Sequence, residues 1–531
     1  MSSLDRSKPW WRDAVVHQVY VRSFADGDGD GVGDLPGITA RLPHLVDLGV
    51  DAVWLTPFYR SPQHDHGYDV ADYRDVDPLF GDLAAAEALL ARAHELGLRV
   101  IVDLVPNHTS SEHAWFRAAV AAGPGSPERA RYHFRPWSEE PPNNWRSVFG
   151  GSAWTRVDDG SDAPEWYLHL FDSTQPDLDW AHPEVGDEFV DILRFWLDRG
   201  VDGFRVDVAH GLVKAAGLPD HDDPDLPAPG RDDSMVARDR ADEPMWDQPG
   251  VHEVYRRWHE VLASYGDDPA EQRMMVAEAW TPDAESMSRY VRPDEFQQAF
   301  NFAWLLAPWS ARAFADVVTD TLSAVGRVGA SATWVLSNHD VVRHRTRYAA
   351  GATPERGLAR ARAATLTMLA LPGSAYLYQG EELGLPEADV APEARTDPSW
   401  FRTGEVGRDG CRVPLPWSGD APPYGFGPGD AQPWLPQPEA WAALSVERQQ
   451  ADEDSTLAFY RRALAARRAH AADLPAEVAV AVDDDVLLLR RGDLVCQVNC
   501  GETPVDPPAG EVLVCSGATP GAPDSATWVR A

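Results

Sequence analysis

The sequence has no long apolar run and few basic residues. No stretch approaches the ~20 consecutive apolar residues of a membrane-spanning helix. The first residues contain no basic region followed by an apolar segment, so no signal peptide is predicted. The 47 lysines and arginines stand against 84 acidic residues, a formal net charge of -37. Such a surface repels phosphate backbones and anionic membranes. We therefore expect neither a nucleic-acid partner nor a membrane partner, and the charge favours solubility.

Cysteine is also scarce. The four cysteines are Cys411, Cys496, Cys500 and Cys515, and their spacing matches none of the usual zinc-binding patterns. A disulfide is the alternative interpretation. Because no export signal is predicted, we expect free thiols in a cytoplasmic protein.

Eight short, nearly continuous apolar runs rich in β-branched residues alternate with amphipathic helical patterns. Such runs are typical of parallel strands that are buried on both faces. Eight alternations predict an α/β fold with a closed (β/α)8 TIM barrel. We assign the barrel to residues 1–108 and 181–465, and a small inserted domain after the third strand to residues 109–180. A C-terminal antiparallel β domain, expected as a β-sandwich, is assigned to residues 466–531.

The segment 214–250 is polar, acidic and rich in proline. It follows the predicted fourth strand and would overhang the C-terminal mouth of a barrel. We predict a lid or mouth element there, with a disordered linker as the alternative.

Four of the predicted strands have a carboxylate at or just after their C-terminal end. In barrel enzymes, this end of the strands forms the active site. These residues are Asp103, Asp207, Glu278 and Asp340. One such carboxylate alone could be a helix cap or a solvated loop residue. Four of them indicate either a divalent metal site or glycoside hydrolysis, in which one carboxylate attacks and another donates a proton. A metal site would favour closely spaced histidines, such as a His-x-His pair on the first strand. The first predicted strand has no such pair, and His64 and His66 lie in a loop. The 21 tryptophans favour a sugar ligand.

Several motifs carry a resemblance to a known family. "IVDLVPNHTS", "GFRVDVAH", "VAEAW" and "VLSNHD" resemble, in order, the four conserved regions of the α-amylase superfamily, glycoside hydrolase family thirteen. "QPDLDW" resembles the further region that marks its oligo-1,6-glucosidase and α-glucosidase branch. The resemblance covers the chain from about residue 10 to the C-terminus.

The resemblance implies a role for each matching residue. Asp207 would be the nucleophile, Glu278 the general acid and base, and Asp340 the carboxylate that holds the sugar hydroxyls. Asp65 would close the glucose site and pair with Arg412. The other implied substrate-binding residues are Tyr68, His108, Phe171, Arg205 and His339. Arg205 is expected to keep Asp207 ionised, as a nearby cation does.

The implied activity is that of a retaining, exo-acting α-glucosidase. Its expected substrates are maltose, isomaltose, sucrose-like glucosides and short malto-oligosaccharides, with transglucosylation as a side reaction. The alternatives are an oligo-1,6-glucosidase, which the valine at Val208 favours, and an isomerising member such as trehalose synthase. A non-catalytic sugar-binding or transporter-associated homologue is disfavoured because the three carboxylates are present. We expect small α-glucosides as partners, and a monomer or homodimer.

The stretch "DGDGDGVGD" begins at Asp26 and is dense in aspartate and glycine. It fails as an EF-hand, because the twelfth position is Gly37 rather than a bidentate glutamate. It resembles the calcium loop of the α-glucosidase branch. The ligands implied by that resemblance are Asp26, Asp28, Asp30, the Val32 carbonyl and Asp34. They suit structural Ca2+, or Mg2+ in a small cage.

Overall fold

The computed structural model describes residues 8–157, 164–221, 243–266 and 268–531. Eight parallel strands form the centre of the molecule. They are β1 Val15–Val19, β2 Ala52–Leu55, β3 Arg99–Leu104, β4 Gly203–Val206, β5 Met274–Ala277, β6 Gln298–Ala299, β7 Thr333–Val335 and β8 Ser374–Tyr378. They pair in the order β6-β5-β4-β3-β2-β1-β8-β7. The Asn301 N–H, just after β6, donates to the carbonyl of Thr333 in β7 (3.1 Å) and joins the two ends. The predicted barrel is confirmed.

Helices follow the strands and cover the barrel. Its outer ring consists of Leu35–Leu48, Leu83–Glu95, Pro183–Leu197, Val251–Ala263, Ala284–Tyr290, Ala311–Val328, Pro354–Ala370 and Thr456–His470. Short helices cover Trp10–Arg12, Val21–Phe24, Ala114–Ala122, Arg129–Arg131, Phe302–Leu306, His344–Arg347, Pro392–Ala394, Pro398–Thr403, Asp409–Arg412, Glu439–Leu444 and Val446–Gln450. All residues of β1, β2 and β8 are buried, because the helices cover one face and the barrel core the other.

The first ring helix shows how local sequence sets its limits. Asp34 precedes it in extended conformation, and the Asp34 carboxylate accepts the Gly37 N–H (2.6 Å). Pro36 occupies the first turn, where no N–H is needed. Gly49 ends the helix at φ 97°, a left-handed conformation that favours glycine. The same aspartate thus belongs both to the acidic loop and to the helix cap.

Among the described residues, three further sheets lie outside the barrel, and two of them precede β4 in the chain. Strands Phe134–Pro136, Trp154–Arg156 and Glu165–Leu168 form an antiparallel sheet within the segment predicted as an inserted domain. An antiparallel pair, Tyr59–Arg60 and Asp72–Val76, follows β2 and frames the loop that carries Asp65 and Tyr68. The boundaries of the inserted domain stay a prediction. Of the predicted lid, residues 222–242 lie outside the described residues.

The C-terminal region contains one antiparallel sheet. Its strands are β9 Ala479–Asp483, β10 Val486–Arg491, β11 Leu494–Asn499, β12 Glu511–Cys515 and β13 Ser525–Arg530. The expectation of a β-sandwich is wrong for the described residues, because this sheet packs on barrel helices instead of on a second sheet. The Trp528 indole N–H, for example, donates to the Leu366 carbonyl (3.1 Å). The predicted boundary after residue 465 falls inside the helix that ends at His470.

The fold bears on the cysteines and on whether a helix could cross a membrane. None of the four cysteines forms a disulfide, and Cys411 and Cys496 are buried. Among the described helices, none has both the length and the apolar character needed to cross a bilayer.

Candidate active site

One buried arginine gathers the carboxylates from three neighbouring strands. Arg205, in β4, donates from Nη1 to Asp103 Oδ1 (2.8 Å) and to Asp207 Oδ1 (2.7 Å). Its Nη2 lies 2.6 Å from Glu278 Oε2. The three carboxylates meet because parallel strands end at the same face of the barrel. Arg205 is 1% exposed, so this cluster exchanges little with water.

The cluster has more negative than positive groups, and this excess affects the pKa values of its carboxyl groups. Burial raises the pKa of Asp207 well above its ordinary value, and the neighbouring Glu278 and Asp103 raise it further, although Arg205 opposes them. Burial likewise raises the pKa of Asp103 to about 7. Arg205 lies beside Asp207 as expected and favours its ionised form, but burial and the two other carboxylates oppose this effect. Three carboxylates share one guanidinium, so the like charges of Glu278 and Asp103 disfavour a negative charge on Asp207.

Asp340 has the opposite environment. Its Oδ1 accepts from Arg412 Nη2 (2.8 Å) and from Arg408 Nη1 (3.1 Å), and its Oδ2 lies 3.3 Å from His339 Nε2. Burial opposes ionisation, but His339 and the two arginines outweigh it and hold the pKa of Asp340 well below its ordinary value. The surroundings of Asp340 therefore favour its ionised form, whereas those of Asp207 disfavour it.

Tyr68 and His339 connect the two groups of carboxylates. The Tyr68 hydroxyl donates to Asp103 Oδ2 (3.1 Å) and lies 2.6 Å from His339 Nε2. Their rings stack with centroids 5.3 Å apart. Gln18 Nε2 donates to His339 Nδ1 (2.7 Å), so the ring proton sits on Nε2. Burial lowers the pKa of His339 well below its ordinary value, which keeps the imidazole neutral.

The predicted pairing of Asp65 with Arg412 is wrong. Arg408 Nη2 donates to Asp65 Oδ1 (2.7 Å), whereas Arg412 contacts Asp340, the His339 carbonyl (2.7 Å) and His66 Nδ1 (3.2 Å). Arg408 reaches Asp65 because its Nε is fixed by Asp397 (2.7 Å). Arg408 and Arg412 lie four positions apart in the segment after β8, and nothing in the sequence shows which of them reaches the loop after β2.

The remaining predicted site residues line one side of the same site. His108 Nε2 donates to the Tyr68 carbonyl (3.0 Å), and its ring packs against Phe171 with centroids 5.1 Å apart. Burial lowers the pKa of His108 to about 4, so it is neutral. Gln175 donates to Asp65 Oδ2 (3.1 Å). Gln175 was part of the "QPDLDW" motif, but its role was not predicted.

A buried lysine fastens the "QPDLDW" segment to the barrel. Lys214 Nζ lies 2.8 Å from Asp177 Oδ2, and it donates to Asn107 Oδ1 (2.7 Å) and the Gly211 carbonyl (2.6 Å). Burial lowers the pKa of Lys214, and Asp177 opposes that shift. The three oxygen atoms hold the ammonium where the inserted segment meets the ends of β3 and β4. Neither composition nor spacing pointed to this contact.

The acidic loop after β1 brings three of its four aspartates together. Asp26, Asp28 and Asp34 each offer a carboxylate oxygen, and these oxygens lie within 4.8 Å of one another. Asp30 is not part of this group, and its Oδ1 accepts the Val32 N–H (2.7 Å). A cluster of oxygen ligands on a glycine-rich backbone fits a hard cation such as Ca2+.

Comparisons with known proteins agree with one another. The family model described as "Alpha amylase, catalytic domain" matches residues 18–474. A Rhizobium meliloti (strain 1021) protein named probable alpha-glucosidase is 39% identical over 502 residues, which are 90% of this chain and 86% of that protein. The oligo-1,6-glucosidase of Parageobacillus thermoglucosidasius is 33% identical over 516 residues, 91% and 87% of the two chains. The crystal structure of the alpha-glucosyl transfer enzyme XgtA has a TM-score of 0.85 and 37% identity, covering 98% and 100%.

Proposed function

The chain belongs to the α-amylase family, in its branch of α-glucosidases and oligo-1,6-glucosidases. We therefore propose that it is an exo-acting α-glucosidase. It removes the terminal non-reducing glucosyl residue from maltose, isomaltose, sucrose-like glucosides or short malto-oligosaccharides. The observation that carries this proposal is the combination of Arg408 with two carboxylates. Arg408 joins Asp65 to Asp340, so the glucose pocket is closed behind one sugar residue. A pocket of this depth favours chain ends over internal bonds.

We further propose a retaining mechanism. Asp207 attacks the anomeric carbon and forms a glucosyl ester, while the bond from that carbon to the leaving oxygen breaks and Glu278 gives that oxygen a proton. Glu278 then takes a proton from water, whose oxygen bonds to the anomeric carbon as the ester breaks. Their shared contact with Arg205 supports these paired roles. Asp340 and the neutral His339 and His108 would hold the sugar hydroxyls.

A sugar hydroxyl can replace water in the second step. The similarity to XgtA, an alpha-glucosyl transfer enzyme, supports transglucosylation as a second activity of the same site. The first half-reaction is common to hydrolysis, transfer and isomerisation, and only the acceptor of the glucosyl ester differs. Linkage preference depends on contacts beyond the glucose pocket.

The acidic loop supports a proposal about a metal. Ca2+, or the smaller Mg2+, would be held by Asp26, Asp28 and Asp34 with the Val32 carbonyl. The metal would stabilise the connection between β1 and its helix rather than take part in the reaction. We also propose a cytoplasmic location, which the free thiols support, no nucleic-acid partner, and a monomeric or homodimeric state.

The activity is tested with purified protein on maltose and isomaltose in parallel, with glucose release as the measurement. We expect both to be cleaved, with α-glucose as the first-formed product in proton magnetic resonance. Asp207→Asn should lower kcat by at least about 10³-fold, because a carboxamide is a poor nucleophile. First-formed β-glucose would contradict retention, and near-normal turnover of Asp207→Asn would contradict the assigned nucleophile.

A further inference from the structure

The ladder between β4 and β5 gains one extra residue at the site. The Glu278 N–H donates to the Val206 carbonyl (3.0 Å), and Val206 pairs in register with Ala277. In a regular parallel ladder, the Glu278 carbonyl would next accept the N–H of residue 208. It accepts the Ala209 N–H instead (2.8 Å). Val208 is therefore a bulged residue at the end of β4, and its N–H is released from the sheet.

Val208 adopts a backbone conformation that β-branched residues rarely take. Its φ is 46°, in the left-handed region. Such a residue persists only where surrounding contacts determine its position. The Val208 side chain is 2% exposed and belongs to the apolar cluster that contains Phe171 and Trp246. A Cβ on Gly211 would lie 2.7 Å from Val208 Cγ1, so the glycine leaves space for this side chain.

The released N–H contacts the side chain of Glu278. It donates to Glu278 Oε2 at 3.1 Å, and the same oxygen receives Arg205 Nη2 at 2.6 Å. The other oxygen, Oε1, receives the Trp280 indole N–H at the longer distance of 3.3 Å, and the Glu278 carboxyl group also has a side-chain hydrogen bond with Asp207. The two donors on Oε2, at 2.6 and 3.1 Å, disfavour a proton there, so Oε1 is the oxygen that can carry it.

We propose that the Val208 bulge is a positioning device for the acid and base of the reaction. Its main-chain N–H occupies Oε2 of Glu278 and thereby directs the transferable proton to Oε1. The inference rests on the proposed function, since it takes Glu278 as the proton donor. Val208 acts through Glu278 by a backbone group, and this role does not depend on the identity of its side chain.

Other charged or titratable groups around the cluster bear on any pH dependence. They are Arg205 in β4, Asp207 after it, Asp103 in β3, Tyr68 in the loop after β2, and His339 and Asp340 after β7. The test must therefore remove the N–H of Val208 without changing any of these side chains.

Replacing the amide of Val208 by an ester achieves this, with α-hydroxyisovaleric acid incorporated at that position of the full chain. The isopropyl group and the carboxylates remain, the N–H is lost, and the Asp207 main-chain carbonyl becomes a weaker acceptor. Losing a donor to the ionised carboxylate means that the proton is held to higher pH. We expect the alkaline limb of the kcat/KM pH profile to move up by about one unit, and kcat/KM to fall about tenfold at neutral pH.

The matched control is an ester at Ala209, whose N–H also goes to Glu278 but to the main-chain carbonyl. It should lower the melting temperature and leave the alkaline limb in place. Val208→Ala keeps the N–H and should also leave the limb in place. An unmoved limb in the Val208 ester, or an equal shift in the Ala209 ester or in Val208→Ala, would overturn the inference. If the unmodified protein cleaves no α-glucoside, the proposed function itself fails.

Discussion

Arg408 is the residue on which the shape of the glucose pocket depends most. Its three guanidinium nitrogens reach three different carboxylates, on Asp397, Asp65 and Asp340. Its side chain is 13% exposed, so these charge-assisted hydrogen bonds are protected from water. A lysine ammonium is a point charge and cannot make three such contacts in a fixed plane.

Arg408→Lys is therefore expected to lower kcat/KM for maltose about 100-fold, the equivalent of about 2.7 kcal/mol. The loss should appear largely in KM, because Arg408 closes the pocket without touching the reacting bond. Arg395→Lys is the matched control, because Arg395 lies in the same segment but donates to the Val390 carbonyl and covers Trp400. Equal losses in the two variants would contradict the role assigned to Arg408.

At the level of the elements, the acidic loop after β1 makes hydrogen bonds to residues that lie far away in the chain. The Asp26 N–H donates to the Phe426 carbonyl (2.9 Å), and the Trp434 N–H donates to the Gly31 carbonyl (3.0 Å). Just before the loop, Ser23 Oγ donates to the Arg412 carbonyl (2.5 Å). The loop therefore supports the segment that carries Arg412, and a cation in it would stabilise both.

Asp28 and Asp30 look equivalent in sequence, but we expect their substitution to affect stabilisation by Ca2+ differently. Asp28 belongs to the group of three carboxylates, whereas Asp30 binds the Val32 N–H. Asp28→Asn should lose most of the rise in melting temperature that millimolar Ca2+ gives the parent protein, since a bound ligand stabilises only the folded state that binds it. Asp30→Asn should keep most of that rise. Calorimetric titration of Ca2+ into both variants checks the order, and the reverse order would refute this ligand set.

For the whole molecule, two adjacent buried carboxyl groups contribute to stability with opposite signs. Burial raises the pKa of Glu381 to about 8. Burial opposes ionisation of Glu382 too, but His17 and His44, whose Nε2 atoms lie 3.6 and 3.9 Å from its carboxylate oxygens, hold the pKa of Glu382 well below its ordinary value. Glu381 thus favours the folded state while it is protonated, and Glu382 while it is ionised.

The pH dependence of the melting temperature should reveal this difference. Above the unfolded value of about 4.3, the unfolded chain releases the Glu381 proton and the folded chain keeps it until about pH 8. The stability contributed by Glu381 is therefore present in acid and lost as pH rises across that range. Glu381→Gln should raise the free energy of unfolding at pH 8.5 by up to about 4 kcal/mol, with little effect near pH 4.5.

Glu382→Gln is the matched control and should destabilise the protein at pH 8.5. Its contribution is present above the unfolded pKa and is lost only as the pH falls through the depressed folded value. Thermal melts of both variants at pH 4.5, 6.5 and 8.5 test the pair. A destabilised Glu381→Gln at pH 8.5 would show that its carboxyl group is ionised in the fold.

The barrel, the three carboxylates that follow β4, β5 and β7, and the family could all be predicted from the sequence. Those features depend on local patterns: apolar runs buried on both faces, helix caps such as Asp34, and short motifs at strand ends. The limits of the C-terminal domain were less predictable, because one sheet and a helix at its border pack on the barrel in a way that no period of the sequence encodes.

Which side chains meet depends on the closed barrel and could not be predicted from the sequence. Arg408 and Asp65 lie 343 positions apart, and the sequence pointed to Arg412 as the partner of Asp65 instead. The left-handed backbone of Val208 and the contacts of Lys214 likewise depend on neighbours from other elements. The raised pKa of Asp207 has the same origin, since it follows from three carboxylates that share one buried arginine. Local sequence specifies each strand and its final residue, whereas distances and electrostatics between strand ends arise only when the barrel closes.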